Sequence, residues 1–355
     1  MDDKLQRESQ ARWMRMQRIL IFATVTVLLS ACTKPRVHEA SDRVEIQIKQ
    51  NILSNGDVRY SIPVRIGNAA PVETMLDTGS TGLRILPGAI SPDNYVLTDH
   101  SNDYGYGSGV TMSGTVGKAT VGVGGDSTNE SIPIQIVQKI GCSKDKPACP
   151  ASRVALSAYG FGGDGLPGEG FKAIIGVALP PSRQQGEVVN PFGHMGSGAW
   201  IIVLPRPGRI DPGKLIINPD QNDLAGFTLF KDLIPLPRFK TQSIAGCLHN
   251  QTANKEFCGP IMFDTGANLT TVWTSLAPPR NWPDGMRGAF IFGDHADLKA
   301  GAEFVVDHAT PGSKVNIKPP LGPLPTVINA GILPYFRYEV YYNVEKNEIG
   351  LKQRE

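Results

Sequence analysis

The triplet Asp-Thr-Gly occurs twice in this chain, as Met75-Leu76-Asp77-Thr78-Gly79-Ser80-Thr81 and as Met262-Phe263-Asp264-Thr265-Gly266-Ala267-Asn268. Each copy follows two hydrophobic residues of a strand-like run and leads into another short apolar stretch. A repeat of that kind at half-chain spacing restricts the fold to two similar halves, each presenting an Asp on a turn at a strand end. Elsewhere, short runs with strand alternation recur at residues 44–48, 58–66, 119–123, 132–137, 173–177, 200–204, 214–217, 260–263, 304–306, 315–317 and 338–344. Many of the turns between them carry some of the 39 Gly and 28 Pro. No long helical period is present, so the class is all-β with short helices at most.

Two such loops can bring two carboxyl groups into contact across a pseudo-twofold axis. Carboxylates that close cannot both ionise cheaply, so they share one proton and titrate as a pair. The ionised member can then take a proton from a water held between them while the protonated member donates to a peptide carbonyl. Gly79 and Gly266 let the backbone turn tightly and bring amide N–H groups to the carboxylates. Thr78 and Thr265 supply hydroxyls for buried backbone groups.

At these residues the chain resembles the pepsin-like aspartic proteases, over roughly residues 44–351. The resemblance implies a two-lobed all-β fold, with lobes at 44–193 and 194–355, an inter-lobe cleft and a β-hairpin flap. It implies an endopeptidase that needs no cofactor or metal and takes a polypeptide substrate. By the same likeness Asp77 and Asp264 are the catalytic pair, and Thr78 and Thr265 form a hydrogen-bond network between the lobes. Gly79 and Gly266 support the loops, and Ser80 supports the outer oxygen of Asp77. Tyr106-Gly107-Ser108-Gly109 resembles the flap tip, with Tyr106 as the flap tyrosine and Tyr104 as the alternative. Ile174-Ile175-Gly176 resembles the segment that crosses beneath the first catalytic loop, and residues 327–331 match it loosely in the second half. Two positions depart from the family. Ala267 stands where many members have a hydroxyl residue, so Asp264 is expected to lack one donor and the activity optimum to lie closer to neutrality. Arg84 stands where the family often has a Trp supporting the flap tyrosine, and it is expected to be a solvated surface residue.

The formal charge of +2 is misleading, because residues 1–31 hold five basic groups against three acidic ones and the remainder holds 30 of each. An apolar run of twelve from Ile19 to Ser30 is too short to span a bilayer and reads as a secretory signal. Leu29-Ser30-Ala31-Cys32 resembles a bacterial lipobox. The expectation is therefore a signal peptide at 1–31, a lipid-carrying Cys32, a tether at 32–43, and an outer-membrane anchor facing the periplasm. Export permits disulfides. Of the three pairings open to Cys142, Cys149, Cys247 and Cys258, two local loops, 142 with 149 and 247 with 258, are the simplest. Neither pair has metal-knuckle spacing and the six His form no HExxH. A neutral mature chain without a basic aromatic patch excludes a nucleic-acid partner, and a monomer is expected. Two alternatives stand beside the protease. One is a catalytically inactive pepsin-fold envelope lipoprotein that binds peptide or glycan. The other is a serine hydrolase using Ser197 near His194, although that glycine-rich run lacks a G-x-S-x-G elbow.

Overall fold

The run at residues 44–48 grows into the strand Val44–Ile52, turns at 54–57 and returns as Val58–Ile66. The turn closes on its own chemistry, since the Asp57 N–H donates to Asn55 Oδ1 at 2.9 Å and Gly56 takes a φ of 83°. The structure, a computed structural model, describes residues 42–181, 187–207, 212–293 and 300–355. Among these residues, the helical segments are 3₁₀ turns of three or four residues, and the rest of the regular structure is strand.

Among the described residues the strands form two mixed sheets, of fifteen and nine strands. In the larger, Thr228–Phe230, Glu348–Gln353, Tyr338–Asn343, Ala199–Val203, Gly213–Ile217 and Val44–Ile52 follow one another as an antiparallel series. Val44–Ile52 then passes on to Val58–Ile66 through its second half, so one long strand belongs to both parts of the sheet. The smaller sheet is built from residues 234–329. The chain thus leaves the larger sheet after Phe230, builds the smaller one, and comes back at Tyr338 to pair with Ala199–Val203.

Around each Asp-Thr-Gly the strands are wired in the same way. Ala173–Val177 lies between Val72–Asp77, which it meets in parallel, and Thr81–Ile85, which it meets antiparallel. Thr326–Asn329 lies between Lys255–Met262, in parallel, and Leu269–Thr274, antiparallel. A third strand therefore splits each strand–loop–strand unit, and the loop is held open over it. Gly176 makes the first crossing feasible, because a Cβ there would sit 2.7 Å from the backbone of Ser80 and Thr81.

One apolar core runs behind both loops, with Leu76, Leu83 and Ile175 from one side meeting Ile261, Phe263 and Ile328 from the other. Each such side chain contributes roughly 1.5–3 kcal/mol when fully buried. Trp200 stacks on Tyr342, ring centres 5.4 Å apart, and joins the returning strand to this core. A second cluster, Met75, Leu86, Val110, Met112, Val137, Tyr159 and Phe161, fills the space under the hairpin of Val96–Gly105 and Val110–Ala119.

Cys142 pairs with Cys149 and Cys247 with Cys258, the local pairing expected from spacing. The second bridge joins residues directly opposite in an antiparallel ladder. Two disulfides indicate an oxidising, exported environment. Among the described residues no helix is long and apolar enough to cross a membrane. Cys32, the signal segment and most of the tether lie outside the described residues.

Candidate active site

Asp77 ends the strand Val72–Asp77, and Asp264 lies two residues beyond the strand Lys255–Met262. The two loops face each other: a Cβ on Gly79 would overlap the Asp264 carboxyl, and one on Gly266 would lie 2.9 Å from Asp77 Oδ1. Each carboxyl also has an inner and an outer support. On the first, the Gly79 N–H donates to Oδ1 at 2.9 Å and the Ser80 hydroxyl to Oδ2 at 2.5 Å. On the second, the Gly266 N–H donates to Oδ1 at 2.8 Å and Asn329 Nδ2 to Oδ2 at 2.6 Å.

Asn329 corrects the reading of Ala267. The missing hydroxyl does not leave Asp264 one donor short, because an amide from the crossing strand Thr326–Asn329 takes its place. Asn329 is held in that orientation by its own Oδ1, which accepts the Gly331 N–H at 2.9 Å. The Asp264 carboxyl is nevertheless raised from 3.8 to about 7. Burial is the largest cause and the charge of Asp77 the next, with the Asn329 and Gly266 donors opposing them. A carboxyl that keeps its proton to higher pH beside a second carboxyl can set an acid next to a base.

Behind the carboxyls the threonines are reciprocal. The Thr78 N–H donates to Thr265 Oγ1 and the Thr265 N–H to Thr78 Oγ1, each at 3.0 Å. The Thr265 hydroxyl donates to the Leu76 carbonyl at 2.7 Å, and the Thr78 hydroxyl to the Phe263 carbonyl at 3.1 Å. With its proton used on Phe263, Thr78 Oγ1 accepts from the Tyr335 hydroxyl at 2.8 Å, which in turn accepts from Tyr342 at 2.6 Å. Asn268 ties the second loop to the start of the strand Val58–Ile66, its side chain accepting from the Val58 N–H at 3.1 Å and donating to the Val58 carbonyl at 2.9 Å. Arg59, from the neighbouring strand, brings a cation within electrostatic reach of both aspartates, and burial holds its pKa below the ordinary value.

The hairpin is present where the sequence placed it, and both tyrosines bring their rings to Arg84, 3.4 Å for Tyr104 and 5.9 Å for Tyr106. Tyr106 packs against Phe161, ring centres 6.5 Å apart, and its buried hydroxyl has no hydrogen-bond partner among the described residues. Tyr104 is the tyrosine whose phenol faces Ser80 and the Thr81 backbone, beside Asp77. Side chains alternate along a strand, so residues two apart share a face, and only the length of the turn decides which of them reaches the loop. Gly107, at the tip, offers its carbonyl to Lys146 Nζ, and the Gly109 carbonyl accepts the Ser143 N–H at 2.8 Å. Both partners sit in the loop closed by Cys142–Cys149, which therefore backs the hairpin tip.

Arg84 is not a solvated surface residue. It is 2% exposed, and its guanidinium lies over the Tyr104 ring, 3.4 Å from the ring centre. Ser197, the candidate nucleophile of the hydrolase alternative, donates its hydroxyl to Asn218 Oδ1 at 3.1 Å. Cys247, Glu256 and Cys258 bring ligand atoms within 4.8 Å of one another, but the two sulfurs are joined in the disulfide.

No family model matches the chain, and no curated protein matches it. The site therefore stands on its own geometry. Sequence reasoning missed Asn329, Asn268, Arg59 and the Tyr335–Tyr342 pair. Asn329 alone had left a trace, inside the loosely matching run at 327–331.

Proposed function

We propose that this protein is a pepsin-like aspartic endopeptidase of two β lobes, exported and held at the bacterial outer membrane by lipid on Cys32. The observation that carries the reading is that the Asp77 and Asp264 loops face each other through reciprocal threonine hydrogen bonds, each carboxyl held by an inner amide and an outer donor. An extended polypeptide lies in the cleft under the Tyr104 hairpin. The ionised carboxylate removes a proton from a water between the two aspartates as its oxygen adds to the peptide carbon. The protonated carboxyl donates to the carbonyl oxygen, which gives a neutral tetrahedral diol. The base, now protonated, passes its proton to the leaving nitrogen, the C–N bond breaks, and a diol proton returns to the pair. Donors already aimed at the carboxyl oxygens need no reorganisation during these transfers.

The test is cleavage of unfolded polypeptide by the soluble chain beginning after Cys32, at acid and neutral pH, with and without an inhibitor carrying a hydroxyl that mimics the tetrahedral carbon. Cleavage blocked by that inhibitor is expected. Binding of polypeptide with no cleavage at any pH overturns the reading in favour of a non-catalytic binding protein.

The pair also predicts a pH profile. Activity needs one shared proton, so it falls as pH rises through the loss of that proton, which Asp264 places at about 7. Asn329 donates to the charged form and so lowers this value. Asn329→Ala is expected to move the alkaline limb of kcat to higher pH. A limb that stays in place or moves down would show that Asn329 does not act on the pair.

A further inference from the structure

Arg84 is among the largest fully buried side chains of the molecule, and it is a cation. Its Nη1 donates to the carbonyls of Thr81 at 2.8 Å and Gly82 at 3.1 Å, while its buried Nε has no hydrogen-bond partner. Among the described residues no ion pair to a carboxylate is formed by it. Burying a guanidinium on two carbonyls alone is costly. The compensation is aromatic: the Tyr104 ring lies 3.4 Å from the guanidinium carbon, and the Tyr106 ring 5.9 Å from it. The two rings meet edge-on with centres 4.9 Å apart.

The position of that contact matters for the site. Arg84 belongs to Thr81–Ile85, the strand that leaves the first catalytic loop, and Tyr104 belongs to the hairpin above it. The same ring that covers Arg84 carries the hydroxyl that faces Ser80, and Ser80 donates to Asp77 Oδ2. We infer that Arg84 is a positioning residue, holding the hairpin over the cleft through Tyr104 and thereby setting the phenol against Ser80. The outer side of the hairpin tip is fastened separately, by Lys146 to Gly107 and Ser143 to Gly109. Arg84 fastens the inner side, which faces substrate. A planar guanidinium suits this task because it stacks on a ring while its edge still donates to carbonyls, which a lysine ammonium does not do.

The inference rests on the proteolytic reading for its kinetic arm and is independent of it for its structural arm. Arg84→Met, Tyr104→Leu and the double variant are compared with the native chain, active molecules being counted by titration with the tetrahedral-mimic inhibitor. Loss of the stacked cation is expected to raise KM about tenfold with kcat per active molecule changed less than about twofold. In the Tyr104→Leu background, Arg84→Met is expected to add nothing further, because the two residues act through one contact. A full extra effect in that background overturns the inference. So does a fall in active molecules with KM unchanged, which is the mark of a merely structural arginine. Arg84→Lys keeps a cation in a fold that Arg84→Met could weaken, and an intermediate KM is expected from it. Should the native chain cleave nothing, amide exchange of residues 104–110 decides alone. Faster exchange in Arg84→Met, absent as an additional effect in the double variant, supports the contact, and unchanged exchange refutes it.

Discussion

Asp264→Asn is expected to abolish peptide cleavage, by about a thousandfold or more in kcat, while leaving the chain folded and flattening the pH dependence of its stability. The two effects have one cause. Asp264 is held in a buried site beside Asp77, so the folded protein binds its proton more tightly than the unfolded chain does, from 3.8 up to about 7. A group raised on folding contributes stability at acid pH and loses that contribution as pH rises through the folded value. Native stability should therefore fall between about 4 and about 7 by this route, and the substitution, which cannot titrate, should remove that part of the slope. The kinetic loss follows because an amide can neither give up nor accept the shared proton. Asp77→Asn should lose activity equally. Cleavage rates read the first effect, and denaturant titrations of native and variant chains at several pH values read the second. A variant that retains a tenth of native activity would remove Asp264 from the mechanism.

Gly79→Ala should be nearly as damaging to activity as losing an aspartate, through space and not through backbone conformation. Gly79 is not among the glycines with positive φ, so alanine meets no backbone penalty there. A Cβ at that position would instead overlap Asp264 Cγ and Oδ1 and lie 2.5 Å from Oδ2. The Asp264 carboxyl has to move away from Asp77, and a displacement on the order of 1 Å at reacting groups costs about a hundredfold. The equivalent change in the other loop is milder: a Cβ on Gly266 would stand 2.9 Å from Asp77 Oδ1 and 3.1 Å from Asp264 Oδ1. Gly79→Ala is therefore expected to lower kcat about tenfold more than Gly266→Ala, with both melting close to the native temperature. Equal losses in the two variants would mean that the loops are more alike in solution than their geometry indicates.

How far the site could be read in advance varied with the distance of the interaction along the chain. The strands flanking each Asp, the inner donors Gly79 and Gly266, and Ser80 on Asp77 all lie within three residues of the carboxyl they serve. Local pattern is enough for these. Asn329 reaches Asp264 across 65 residues and Asn268 reaches Val58 across 210, and neither has a local signal. The expectation for Arg84 went wrong for a related reason. An arginine in a strand looks solvated until a ring from another hairpin is known to cover it, and here that ring is Tyr104.

The repeated Asp-Thr-Gly, by itself, determined that two like loops exist, each on a strand end in an all-β chain, and the cysteine spacing made two local bridges the simplest of three pairings. These follow from short-range rules, since alternation, turns and neighbouring donors depend on residues a few positions apart. Only the tertiary structure decided that the two loops face each other and which amide stands in for the absent hydroxyl at Ala267. Those outcomes depend on the register of strands far apart in the chain. A shift of one residue in the ladders of Thr326–Asn329 would have turned Asn329 to the opposite face.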